Sequence, residues 1–125
     1  MKILSRQEFL ALDEEVVFTS QAEGHEYIFS NLSIKGETIY DFEGVPIDFY
    51  YLDLICPIEH SGSTQWADFV TAAHKDSSLS LRPDYECGSR DGMFDEKEKY
   101  VVLDKSDLKK FINRLQEVLE GKNNE

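Results

Sequence analysis

The chain has 125 residues, with 25 acids against 13 Lys and Arg and a formal net charge of −12. That balance excludes sequence-independent binding to nucleic acid or to an anionic membrane, because phosphate contacts need clustered lysine and arginine. The length fits one domain burying about two-thirds of its unfolded surface. A 41% hydrophobic content with eight Phe and six Tyr excludes a disordered chain.

Lys2–Leu4 predicts an opening strand. Ser5-Arg6-Gln7-Glu8 carries the capping-box pattern, in which Ser5 accepts from the Glu8 amide and the Glu8 carboxylate reaches back. A short helix of about two turns follows through Phe9, Leu10 and Leu12, and Asp13-Glu14-Glu15 ends it. Val16–Ser20 and Glu26–Ser30, flanking Glu23-Gly24, predict a hairpin. Leu32–Lys35 alternates, Gly36 breaks the pattern and Thr38–Phe42 resumes it, which predicts two further strands. Gly44-Val45-Pro46 is a turn. Ile47–Ile55 is the most apolar segment, with Asp48, Tyr50, Leu52 and Leu54 on one face and Phe49, Tyr51, Asp53 and Ile55 on the other. An acid on each face suits an edge strand or a face shared with a partner.

Beyond Pro57, Trp66, Phe69, Val70 and Ala73 form a helical stripe over 64–75. Leu81–Glu86 reads as a short strand near Pro83, Cys87–Glu98 as turns, and Tyr100–Leu103 as a strand. In the last element Leu108, Phe111, Ile112, Leu115, Val118 and Leu119 repeat at helical spacing before Gly121. Lys109 and Lys110 come early and Glu117 and Glu120 late, against the helix macrodipole, so packing is expected to hold this helix. The expected fold is α+β. Residues 1–121 form a single domain, a mostly antiparallel sheet with two longer helices and one short helix packed on it, and 122–125 are a frayed tail. No apolar run approaches the roughly 18 residues of a membrane span, and no signal peptide opens the chain, so a soluble cytoplasmic protein is expected.

The acidity is lopsided. Residues 1–68 hold thirteen acids and three bases (Lys2, Arg6 and Lys35), a balance of −10 that leaves −2 for the remainder. Within that half, Tyr40 to Asp53 interleaves aromatics with acids. Carboxylates grouped around tyrosines speed encounter with a basic surface, and tyrosine rings anchor interfaces. The candidate partner-binding residues are therefore Asp41, Glu43, Asp48, Tyr51 and Asp53, the acids standing in for phosphates and Tyr51 serving as the anchor. The partner expected is a basic protein, with no direct nucleic acid, no membrane and no cofactor.

A second reading is a small metal- or ligand-dependent enzyme. Cys56 precedes His60 by four residues across Pro57, and His74 and the acids between Asp84 and Asp95 could join them in a cleft. The plainer reading leaves Cys56 and Cys87 as free thiols and the histidines without roles. Asp91 to Glu96 lacks the EF-hand order, and Arg90-Asp91-Gly92 is a tight turn with Gly92 at positive φ. No GxSxG, HExxH, P-loop or GxGxxG is present.

Two stretches, MKILSRQEFLAL (1–12) and ECGSRDGMFDEKEKYVVLDKSDLKKFINRL (86–115), resemble small acidic proteins carried on bacteriophages and prophages. In those a strand and capped helix open the chain, and a Ser-Arg-Asp-Gly turn leads to a strand and a final helix. The resemblance implies a non-enzymatic, counter-defence inhibitor that binds and blocks a basic host protein, including a nucleic-acid-binding or defence protein. An immunity protein for a basic toxin would rest on the same physics.

Overall fold

The structure is a computed structural model that describes residues 1–21, 32–55, 63–76, 78, 85–86 and 88–121, with the side chains of 63–66 excepted. Several sequence expectations lie outside the described residues: the strand Glu26–Ser30, most of Leu81–Glu86, the tail 122–125, and His25, Cys56, His60, Asp84 and Cys87.

The described elements are β1 (Lys2–Ser5), α1 (Arg6–Leu10), β2 (Val17–Gln21), β3 (Ser33–Tyr40), β4 (Pro46–Asp53), α2 (Ser63–Lys75), β5 (Gly88–Arg90), β6 (Lys99–Val102) and α3 (Lys105–Glu120). Six strands form one sheet in the order β1-β6-β2-β3-β4-β5. Every pairing is antiparallel. The fold is α+β, with three helices among the described residues, two of them long.

The capping box forms as its spacing demands. Ser5 Oγ accepts from the Glu8 amide at 3.2 Å, and Glu8 Oε1 accepts from the Ser5 amide at 3.1 Å. It starts α1 in the register that turns Phe9 and Leu10 onto the sheet. Phe9 stacks on Tyr100 with centroids 4.2 Å apart and meets Phe49 edge-on at 5.0 Å. Phe18, Leu10 and Val102 complete this buried cluster. Such aromatic contacts add about 0.5–1.5 kcal/mol each beyond area burial.

Four details depart from the sequence reading. Gly88–Arg90, expected among turns, is the short strand β5 paired with β4. The two strands expected around Gly36 are a single β3 with a bulge. Lys35 faces Tyr51 and Thr38 faces Phe49, so Gly36 and Glu37 share Tyr50 as their opposite number. A Cβ on Gly36 would sit 3.2 Å from the Tyr50 carbonyl oxygen, a close approach that favours glycine. Next, β4 is not an edge strand but lies between β3 and β5. Finally, α3 is not held by packing: none of its residues is buried, and Leu108 and Phe111 are only half-buried. Its ends hold it instead. Asp104 and Asp107 form a capping box, and Gly121 closes it at φ 75°. The Met1 ammonium contacts both acids, at 3.1 and 2.7 Å, and with the Asp107 amide it lowers the Asp104 carboxyl to about 2.

Candidate functional site

Two of the three positive side chains in residues 1–68 are inside the protein. Arg6 and Lys35 are each 1% exposed, and among the described residues one acid, Asp48, is buried with them. Each cation ties together a different set of elements.

Arg6 opens α1 and points along the sheet toward β4 and β5. Its Nη1 donates to the Tyr100 hydroxyl at 2.8 Å and to Asp91 Oδ2 at 3.1 Å. Its Nη2 donates to the Ile47 carbonyl at 3.0 Å and lies 3.5 Å from Asp48 Oδ1. Ile47 is the residue skipped where the β3–β4 register shifts between Ile39 and Tyr40, and the arginine takes up its carbonyl. Asp48 also accepts from Arg90 Nε and, through both oxygens, from the Gly92 amide at 3.2 and 3.1 Å. Burial pushes the Asp48 carboxyl up, but Arg90 and the Phe49 and Gly92 amides outweigh it and hold it below the ordinary range. Burial opposes the Arg6 charge, and its polar partners more than offset that. Burial, reinforced by Glu98, drives the Tyr100 phenol far above its usual value and keeps it neutral. The cluster locks α1, β4, β5 and β6 together.

The turn at 90–92 serves this cluster. Gly92 adopts φ 67°, as the sequence predicted, and the turn delivers its amide to Asp48. Asp48 is thus a correction to the expected partner-binding set: fully buried and saturated with donors, it has no surface to offer.

The other four candidates lie in different places. Asp41 Oδ1 accepts from the amides of Glu43 and Val45 at 2.8 and 2.9 Å, folding the β3–β4 turn around itself with Gly44 at φ 80°. Glu43 is exposed on that turn. Tyr51 is half-buried against the core, with its ring 6.2 Å from Phe49. Asp53 accepts from the Ser33 hydroxyl at 2.9 Å. Tyr51, Asp53 and Asp91 share a small polar cleft of 160 Å³.

Lys35 is the second buried cation. Its ammonium donates to the Leu12 carbonyl (3.0 Å), the Gly36 carbonyl (3.0 Å) and Thr38 Oγ1 (2.9 Å), and Thr38 in turn donates to the Leu10 carbonyl at 2.8 Å. Burial lowers its pKa, with Asp13 acting against the fall. These bonds tie the end of α1 and the segment after it to the β3 bulge. Between them lies a groove of 410 Å³ lined by Leu12, Asp13, Glu14, Glu15, Gly36, Glu37, Thr38 and Tyr40. Four of these residues are acidic, Tyr40 is 57% exposed, and no lysine or arginine is among the lining residues, although Glu14 and Glu15 also line a neighbouring pocket with Lys2 and Lys105. Sequence reasoning missed this groove. Asp13-Glu14-Glu15 read as a helix terminator, and only the Gly36-Glu37 bulge brings Glu37 beside it.

The enzyme reading turns on Cys56 and His60, which lie outside the described residues. Among the described residues no three His, Cys, Asp or Glu side chains converge as a metal site, and His74 is exposed on α2. No described helix is long and apolar enough to cross a membrane. Comparison with family models, curated proteins and solved structures found no match.

Proposed function

We propose that this chain is a non-enzymatic acidic binding protein that occupies a basic site on another protein, with the groove between 12–15 and 36–40 as its contact surface. One observation carries the reading. Asp13, Glu14, Glu15 and Glu37 line an open groove beside an exposed Tyr40, while Lys35 is spent inside on three backbone and hydroxyl oxygens and Lys2 and Lys105 line only the neighbouring pocket that shares Glu14 and Glu15. A guanidinium or ammonium entering the groove would meet carboxylates with no competing positive side chain along its lining, and Tyr40 supplies a ring face. Physiological salt screens charges beyond about 8 Å, so acids clustered in one groove count for more than acids spread over the surface. The resemblance of 1–12 and 86–115 to phage and prophage proteins supports the setting: a basic host protein, including a nucleic-acid-binding or defence protein, whose site is blocked. Immunity against a basic toxin would use the same groove.

The test is affinity capture from host lysate at low and high salt, comparing wild type with Glu14→Lys/Glu15→Lys/Glu37→Lys and with a control reversal, Glu96→Lys, outside the groove. Wild type and the control should retain the same basic protein, released by salt, and the triple variant should lose it. Retention by the triple variant at wild-type level defeats the proposal.

A further inference from the structure

The β3–β4 hairpin ends in a braced turn that carries an aromatic ring into water. The Asp41 amide donates to the Val45 carbonyl at 2.9 Å, and the Gly44 amide donates to the Asp41 carbonyl at 3.1 Å. Asp41 Oδ1 accepts from the Glu43 and Val45 amides as well, and Gly44 lies at φ 80°. Such turns ordinarily take Gly, Pro, Asn, Asp or Ser in their central positions. This one holds Phe42, which is fully exposed. The ring therefore buries nothing against the fold, while the backbone beneath it is held by the bonds around Asp41. Tyr40 and Val45, on either side of the turn, are exposed too. Scattered single apolar side chains on a surface need no explanation, but three gathered on one hairpin tip do.

We propose that Phe42 is the anchor of the partner contact, its ring entering an apolar pocket whose rim carries Arg or Lys. The inference deepens the acidic-binding reading above and rests on it. Charge sets the chemistry of the rim. Asp41 and Glu43 flank the ring, and residues 36–74 contain no Lys or Arg, so a basic rim closing on the hairpin meets no like charge from that whole stretch. Continuity ties the tip to the groove: Tyr40 lines the acidic groove and stands two residues before Phe42. Interface anchors are typically aromatic rings in desolvated pockets, with polar and charged contacts around them. A preformed turn also gives up little conformational freedom on docking, so burial of the ring is realised as affinity rather than offset by ordering.

Photo-crosslinking of the full chain tests this with Phe42 left intact. Val45→p-benzoylphenylalanine, beside the turn, is irradiated in host lysate at physiological salt, with Glu96→p-benzoylphenylalanine as the control. The first should label one protein, on residues bordering an apolar pocket flanked by Arg or Lys, and the control should not label it. Wild-type chain without the crosslinker should suppress the labelling by competition. Phe42→Ala should need about 10–100-fold more protein to do so, the range expected for one buried ring, and Phe42→Leu should fall between. The Tm of Phe42→Ala should stay within about 2 °C of wild type, because folding buries none of that side chain. Weakened competition is then not a loss of fold. No crosslink, a crosslink on a surface without basic residues, or equal suppression by Phe42→Ala would overturn the anchor. The triple groove variant, Glu14→Lys/Glu15→Lys/Glu37→Lys, separates the two readings. If it competes like wild type while Phe42→Ala is weakened, the anchor is supported and the groove defeated; the reverse pattern defeats the anchor and leaves the groove.

Discussion

Replacing Asp48 with Asn keeps the shape of the side chain and removes its charge. The carboxylate it replaces is fully buried and receives Arg6, Arg90 and the Gly92 amide. In Asp48→Asn, the buried Arg6 keeps its contact with the Asp91 carboxylate. Removing one partner of a buried pair costs about 3–5 kcal/mol. Asp91 remains in place, and Arg90, 47% exposed, can turn back to water. The expected loss is therefore at the low end, about 3 kcal/mol. With an unfolding entropy of about 2.1 cal/mol/K per residue, the 125 residues give about 0.26 kcal/mol/K and a fall in Tm of about 11 °C. Calorimetry measures the fall, and urea titration gives the free energy. Arg6→Met with Asp48→Leu should lose less than the two single changes together, by at least about 1 kcal/mol, because no buried charge is then stranded. A shift under about 3 °C for Asp48→Asn, or strict additivity in the cycle, would refute the reasoning.

The same carboxyl carries an acid signature. Its folded pKa is depressed, so its stabilisation is complete above the unfolded value near about 4 and disappears as pH falls through the lower folded value. Wild-type stability should drop more steeply than that of Asp48→Asn in this range, as measured by urea titration at successive pH values. Lys35→Met should cost about 1–3 kcal/mol by stranding the acceptors on Leu12, Gly36 and Thr38, and hydrogen exchange should quicken at 12–15; unchanged exchange would sever Lys35 from the groove. Gly92→Ala should cost about 1 kcal/mol through its φ of 67° alone, since a Cβ there meets nothing within 4 Å. Carboxyl-detected NMR should place the Asp104 midpoint at about 2, and a midpoint in the ordinary range would remove the Met1–Asp104 ion pair.

Local signals were legible where the determining contacts are local. The Ser5–Glu8 capping box, the Gly92 turn and the α3 stripe each depend on residues within a few positions of one another, and each appears as its spacing predicts. The α+β class followed because period-two and period-3.6 patterns are properties of the chain itself. Tertiary structure alone decided which charges reach the surface. Asp48 and Glu43 are equivalent as letters, but Arg6, 42 positions before Asp48, draws one inside, while the β3–β4 turn leaves the other in water. Lys35 is one of three bases in an acidic half, yet it is buried beside the β3 bulge, beneath the acidic groove. Burial of a charge depends on partners distant along the chain, and the energy of a carboxylate is set by those partners and by its access to water.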